Sequence, residues 1–143
     1  VDGAVETIDL DRNRVLYIDG ATRRDVAYQR MKECLSEWDR DDRIGVVCSN
    51  DDTALGCLDA AREMNREDQL AVVGQGANLA PDELRNPDSR FIASTAYYPE
   101  NYGQHLIALA LRILNKERVP QRNTIEPVCV TRENLDTFLA TKQ

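Results

Sequence analysis

Short apolar runs rich in β-formers alternate with longer stretches whose apolar residues recur at helical spacing. The runs are "RVLYID" at 14–19, "RIGVVCS" at 43–49, "LAVVG" at 70–74, "RFIAST" at 90–95 and "TIEPVCVT" at 124–131. Between the first two, Ala27, Met31, Cys34, Leu35 and Trp38 fall on one helical face. Ala54, Leu55, Leu58, Ala61 and Met64 do the same in "DDTALGCLDAAREMN". "PDELRN" after Ala80, a long helix opening at Pro99, and "RENLDTFLA" complete the pattern, with proline suited to a first helical turn. Thr22 and Asp25 have the spacing of a capping box, and Thr131 is placed to cap the terminal helix. Pro127 marks the last strand as an edge. Strand–helix alternation of this kind predicts an α/β fold, a three-layer sandwich with a mainly parallel sheet covered on both faces. Residues 1–13 fit least well, and "GAVETIDLD" reads as a strand or an extended arm.

The 143 residues suit one domain with a sizeable core. No apolar run approaches the roughly 20 residues of a membrane span. No leader or targeting segment is visible and the first residue is not Met, so the expectation is a processed chain or a piece of a larger protein. The net charge of −7 is interspersed, apart from "DRDDR" at 39–43, which reads as a solvated turn. An acidic chain without a basic stripe is a poor nucleic-acid binder by itself. The four cysteines, Cys34, Cys48, Cys57 and Cys129, are widely spaced in apolar stretches and read as buried thiols. No metal-ligand spacing is present, and free thiols favour a reducing compartment without excluding the periplasm.

In open parallel sheets, ligands bind beyond the carboxyl ends of the strands. "DGATRRD", "SNDD", "GQGAN" and "TAYYPENYG" follow the first four runs. Amides and carboxylates bond hydroxyls in pairs, Arg offers a fork of donors, and Tyr gives a flat face with a polar tip, which together suit a polyhydroxylated small molecule. Asn50, Asp51 and Asp52 equally suit helix capping, but one residue suffices for that. Catalytic patterns are missing. There is no GxSxG elbow and no phosphate loop, and "GQGANLA" has Leu79 where a dinucleotide fingerprint needs a small residue. His105 lies within the long helix and reads as a surface or packing residue. The expectation is a binding module, not an enzyme, with no cofactor and no metal.

"NDDTALGCLDAARE", "LAVVGQGAN", "FIASTAYYPENYGQHLIALALRILNKERVP" and "VTRENLD", in that order, resemble the C-terminal half of type I periplasmic sugar-binding proteins, whose fold LacI-type repressor effector domains share. The resemblance runs from about residue 14 to 136. It implies two α/β lobes with a sugar in the cleft. Residues 14–95 would be the C-terminal lobe, 96–130 elements that normally return to the N-terminal lobe, and the rest a terminal helix. It places ligand contacts at Arg24, Asn50, Gln75 and Tyr97, with Asp51 or Asp52 left to cap the helix. Gln75 stands where the family usually has Asp, and Tyr97 where it often presents Gln, so a less typical sugar or related polar metabolite fits the pattern.

Implied partners are a carbohydrate and an ABC permease, in the periplasm. The alternative is a cytoplasmic transcription regulator that reaches DNA through a headpiece not contained here. The apolar residues of the helix after Pro99, from Leu106 to Leu114, nearly encircle it, and a homodimer of this piece through that surface is expected.

Overall fold

A computed structural model of the chain describes Thr7 and residues 11–141. Most of the "GAVETIDLD" segment therefore lies outside the described residues. Helix α1 spans Arg24–Glu37 and strand β1 Ile44–Val47; α2 is Asp51–Glu63 and β2 Leu70–Gln75. After α3, Pro81–Arg85, come β3, Phe91–Ala96, and α4, Tyr102–Leu114. Strand β4, Val128–Thr131, and α5, Leu135–Ala140, close the chain. The sheet order is β1-β2-β3-β4, with β4 antiparallel on the edge and the other pairs parallel. The mainly parallel α/β class follows the sequence pattern, and Pro127 stands just before the edge strand.

Alternation within the strands decides where the core forms. Val46 pairs with Val72, and Val72 with Phe91, on the face that α2 covers. Val72 and Phe91 are fully buried there with Leu35, Leu58, Leu84 and Leu135. Burying each such side chain contributes about 2 kcal/mol. On the opposite face Val47, Ala71, Gln75 and Ile92 are exposed, so among the described residues the helices close one face of the sheet. A register shift beside Ile92 changes the parity of β3. Phe91 and Ser94 consequently both point into the core although three positions apart.

Helices α1 and α2 pack closely because Gly56 has no side chain. A Cβ there would lie 2.2 Å from the Arg24 carbonyl oxygen and 3.1 Å from the Ala27 Cβ. The end of α1 is held by Arg66, which is only 3% exposed. Its guanidinium donates to the Leu35, Trp38 and Asp39 carbonyls, the last at 2.7 Å, and to the Gln69 side chain. Gln69 in turn donates to the carbonyls of Asp39, Arg40 and Asp42. The exposed "DRDDR" turn is thus pinned from beneath, and the carbonyls left over where a helix ends find donors.

Four local expectations are corrected. "RVLYID" forms no strand: Arg12–Arg14 is a 3-10 turn, and Leu16, Tyr17 and Ile18 remain 60%, 64% and 41% exposed. β-propensity needs a ladder to act through, and a groove separates this segment from β1. The Thr22–Asp25 capping box is not made. The N-cap is Arg23, Asp25 pairs with the Arg23 guanidinium, and Thr22 is left-handed with φ 55°. Thr131 does not cap the last helix. Asn134 instead closes that turn, accepting from the Thr131 amide at 2.8 Å and donating to the Cys129 carbonyl at 2.8 Å. Of the cysteines only Cys57 is buried; Cys34 and Cys48 are half-buried, and Cys129 is exposed because it alternates with the buried Val130.

The long helix begins at Tyr102, after a 3-10 turn over Pro99–Asn101. No residue of α4 is buried; Leu106, Ile107, Leu111 and Leu114 are between 55% and 76% exposed. His105 is exposed on it.

Candidate functional site

Parallel strands side by side end at a common edge, and the pairings Val47 with Val73 and Gln75 with Thr95 bring the ends of β1, β2 and β3 level. The loops that leave this edge carry Ser49 and Asn50, Gln75 to Asn78, and Tyr97 with Tyr98. A groove of about 450 Å³ opens beside it, between the 16–22 segment and β1. Its walls are apolar at Leu16, Ile18, Met31, Trp38 and Val46, and polar at Asp19, Thr22, Ser49 and Gln75.

Asn50 is the N-cap of α2. Its Oδ1 accepts from the Thr53 amide and the Thr53 hydroxyl, each at 2.8 Å, while its Nδ2 donates to the Thr22 carbonyl at 3.1 Å. The cap therefore belongs to Asn50, not to Asp51 or Asp52, because only the residue before the first turn has an extended backbone that turns its side chain onto the free amides. Its amide also ties the 20–23 turn to α2.

Asp51 does different work. It is 3% exposed and accepts from the Ser94 hydroxyl at 2.6 Å and from the Asn78 and Leu79 amides at 3.0 and 3.1 Å. Ser94 meanwhile accepts from the Ala77 amide at 3.0 Å. This buried carboxylate fixes the loop after β2, where Gly76 has φ 120° and Ala77 φ 55°. Gly74 leaves room for it: a Cβ would meet the Asp51 Oδ1 at 2.4 Å and the Phe91 ring at 2.8 Å. Sequence reasoning missed this network; the only signal was an Asx triplet longer than capping requires.

Of the four residues singled out from the sequence, Gln75 lines the groove, and Asn50 is bonded to Thr22, which lines it too. Tyr97 follows β3 on the same edge, and its ring stands 6.5 Å from that of Tyr102. Arg24 is directed along α2 instead. Its guanidinium forks onto Asp59 at 2.7 and 3.0 Å, and that hydrogen bond raises its pKa further. Asn50, Gln75 and Tyr97 thus share one rim, and the Arg24 side chain lies to its side. Tyr98, left-handed at φ 49°, packs on Phe138 with centroids 5.9 Å apart. Among the described residues no group of acidic, His or Cys side chains is placed to hold a metal.

A mainly parallel sheet with polar loops at the carboxyl ends of its strands is the arrangement in which open α/β sheets place their ligands. Residues 2–134 match the periplasmic binding protein-like domain family, and the chain belongs to it. An ABC transporter solute-binding protein from Mycobacterium smegmatis with bound glycerol is 26% identical, at TM-score 0.74, over 95% of this chain and 47% of that one. The fructose-binding periplasmic domain of a hybrid two-component system is also 26% identical, at TM-score 0.79, over 98% of this chain and 47% of that one. A solute-binding protein from Agrobacterium vitis with bound allitol, 13% identical at TM-score 0.81 over 98% and 49%, shares the fold. No curated protein matches the chain. The chain spans about half the length of the solved structures it matches.

Proposed function

We propose that the chain supplies the C-terminal lobe of a sugar- or polyol-binding solute receptor that serves an ABC-type importer in the periplasm, and that it binds its solute without turning it over. What carries the reading is the rim: Asn50, Gln75 and Tyr97 leave three adjacent parallel strands at one edge, and the Asp51 network holds the loops between them. Family membership and the resemblance to receptors solved with glycerol or allitol support the solute class. In the closed receptor Arg24 exchanges Asp59 for solute hydroxyls, and Gln75 acts as a neutral donor and acceptor.

Residues 14–95 then form the lobe proper, and α4 belongs to elements that pack on a second lobe. Its apolar girdle supports this, since a helix apolar all round needs cover on several sides. As an isolated 143-residue piece the chain pairs with a second copy through α4. A thermal-shift series on the full-length protein with pentoses, hexoses and polyols tests the solute class. At least one should raise the midpoint, and a series without any rise overturns it.

One observation favours a second reading, the sugar-sensing domain of a LacI-type regulator in the cytoplasm: all four cysteines are free thiols. A sequence-specific DNA complex that a sugar dissociates would select it.

A further inference from the structure

Strand β1 has an unused edge. In a parallel strand each residue directs its N–H and C=O to one side, and its neighbours direct theirs to the other. The Cys48 amide donates to the Val73 carbonyl of β2 at 3.0 Å, so Ile44, Val46 and Cys48 turn their backbone groups towards β2. Gly45 and Val47 turn theirs outward, and among the described residues no backbone group pairs with them there. The groove runs along this edge, and Gly45 and Val47 line it. Its far wall is the 14–19 segment, from which Leu16 and Ile18, two positions apart, both line the groove and are exposed. That segment runs in the direction of β1, because its end reaches the rim. Asn50 holds the Thr22 carbonyl there, and a Cβ on Gly20 would stand 3.3 Å from the Thr53 Cγ2. Met31 and Trp38 line the groove from the helix layer.

We propose that the groove receives a further parallel β-strand from the part of the same polypeptide outside residues 1–143, seated between β1 and the 14–19 segment and hydrogen-bonded to both. The proposal rests on the reading of the chain as one lobe of a longer receptor, and on the length that the matched structures have beyond this chain. A strand meets both demands of the site. Its backbone pairs with the outward groups of Gly45 and Val47, which an edge otherwise leaves open to any other chain. Its alternate side chains, if apolar, cover Met31 and Trp38, which offer the hydroxyls of a solute nothing to bond. With that strand in place β1 moves from the edge to the interior of the sheet. The 14–19 segment gains the ladder that its composition suits. The loop leaving the new strand reaches the rim between Asp19 and Ser49.

The test measures amide exchange and NOEs on the isotopically labelled full-length protein without sugar, so that its result is independent of the solute screen. Val46 and Cys48 are the internal reference, since β2 protects their amides in either case. The Gly45 and Val47 amides should exchange within about tenfold of that reference, as amides inside a sheet do. Their NOEs should lead to residues outside 1–143 that in turn contact Leu16 and Ile18. Exchange beyond that margin leaves β1 an edge and overturns the proposal. NOEs from Gly45 and Val47 that lead to residues 14–19, or to no further strand, overturn it as well.

Discussion

Ser94 donates its hydroxyl to the Asp51 carboxylate at 2.6 Å across 43 positions of sequence, joining the middle of β3 to the start of α2 beneath the rim. Two backbone amides of the loop after β2 complete the carboxylate's shell. The side chain therefore sets the shape of the candidate site without facing it.

Asp51→Ala leaves three donors around a buried gap. Hydrogen bonds to a charged acceptor are each worth roughly 1.5–3 kcal/mol, and their loss is only partly made up by water. The variant should lose about 3 kcal/mol in urea unfolding, and the amides of Asn78 and Leu79 should exchange faster with solvent. A loss under about 0.5 kcal/mol would mean that the loop holds its shape without the carboxylate.

Two strand glycines form an internal comparison. Gly74→Ala drives a methyl into Asp51 and Phe91, while Gly45→Ala in the neighbouring strand meets nothing within 4 Å. Overpacking of this kind costs about 1–3 kcal/mol. Gly74→Ala should fall in that range, and Gly45→Ala should be neutral or stabilising by about 0.5 kcal/mol. Equal thermal midpoints for the two variants would contradict the packing described for β2.

Acid stability depends on Arg62. Its guanidinium grips Glu67 at 2.9 and 3.0 Å and Glu83 at 2.7 and 2.8 Å, and Ser89 donates to Glu83 at 2.6 Å. The Arg62 hydrogen bond leads in holding the Glu83 carboxyl below its ordinary value of 4.5. A depressed folded pKa stabilises above the unfolded value, and that contribution is lost as pH falls through the folded one. The wild type should therefore lose stability faster than Glu83→Gln below pH 4.5. At pH 7 the variant should be about 1 kcal/mol less stable, a figure kept small by the partial exposure of the cluster. Parallel unfolding midpoints for both proteins from pH 7 to pH 3 would remove Glu83 from the account.

Gln75 and Asn50 separate binding from folding. Gln75 is exposed, and among the described residues its side chain makes no hydrogen bond, so Gln75→Ala should weaken a confirmed polyol in the full-length protein by about 2 kcal/mol with unchanged stability. Asn50→Ala should weaken the ligand and also cost about 1 kcal/mol of stability through the lost cap. Titration calorimetry beside urea unfolding reads both; an unchanged dissociation constant for either variant removes that residue from the site.

Element order, sheet polarity and the edge position of β4 were legible because apolar periodicity and prolines report on the sheet directly. The failures were those of pairing. "RVLYID" has the composition of a strand, but composition says nothing of whether a neighbouring edge is engaged. The shift beside Ile92 is likewise silent, since a period-two reading places Ser94 on the face opposite Phe91 and so hides its meeting with Asp51. Asn50 was recognised as special, but its hydrogen bond to the Thr22 carbonyl depends on how the 20–23 turn comes back over α2. The Arg24 fork onto Asp59 was equally invisible, since it depends on the close approach of α1 and α2 at Gly56, which only the folded pair of helices makes.

The grip of Arg66 and Gln69 on the 39–43 turn has a consequence for proteolysis. Arg40 and Arg43 sit in an exposed, charge-rich loop of the kind trypsin cuts first, yet the carbonyls of Asp39, Arg40 and Asp42 are each held by a side chain rooted below. A protease must draw some ten residues into an extended form, and here that means uprooting a buried guanidinium along with the end of α1. Nicking at this turn therefore reports unfolding of the whole lobe, not fraying of its surface.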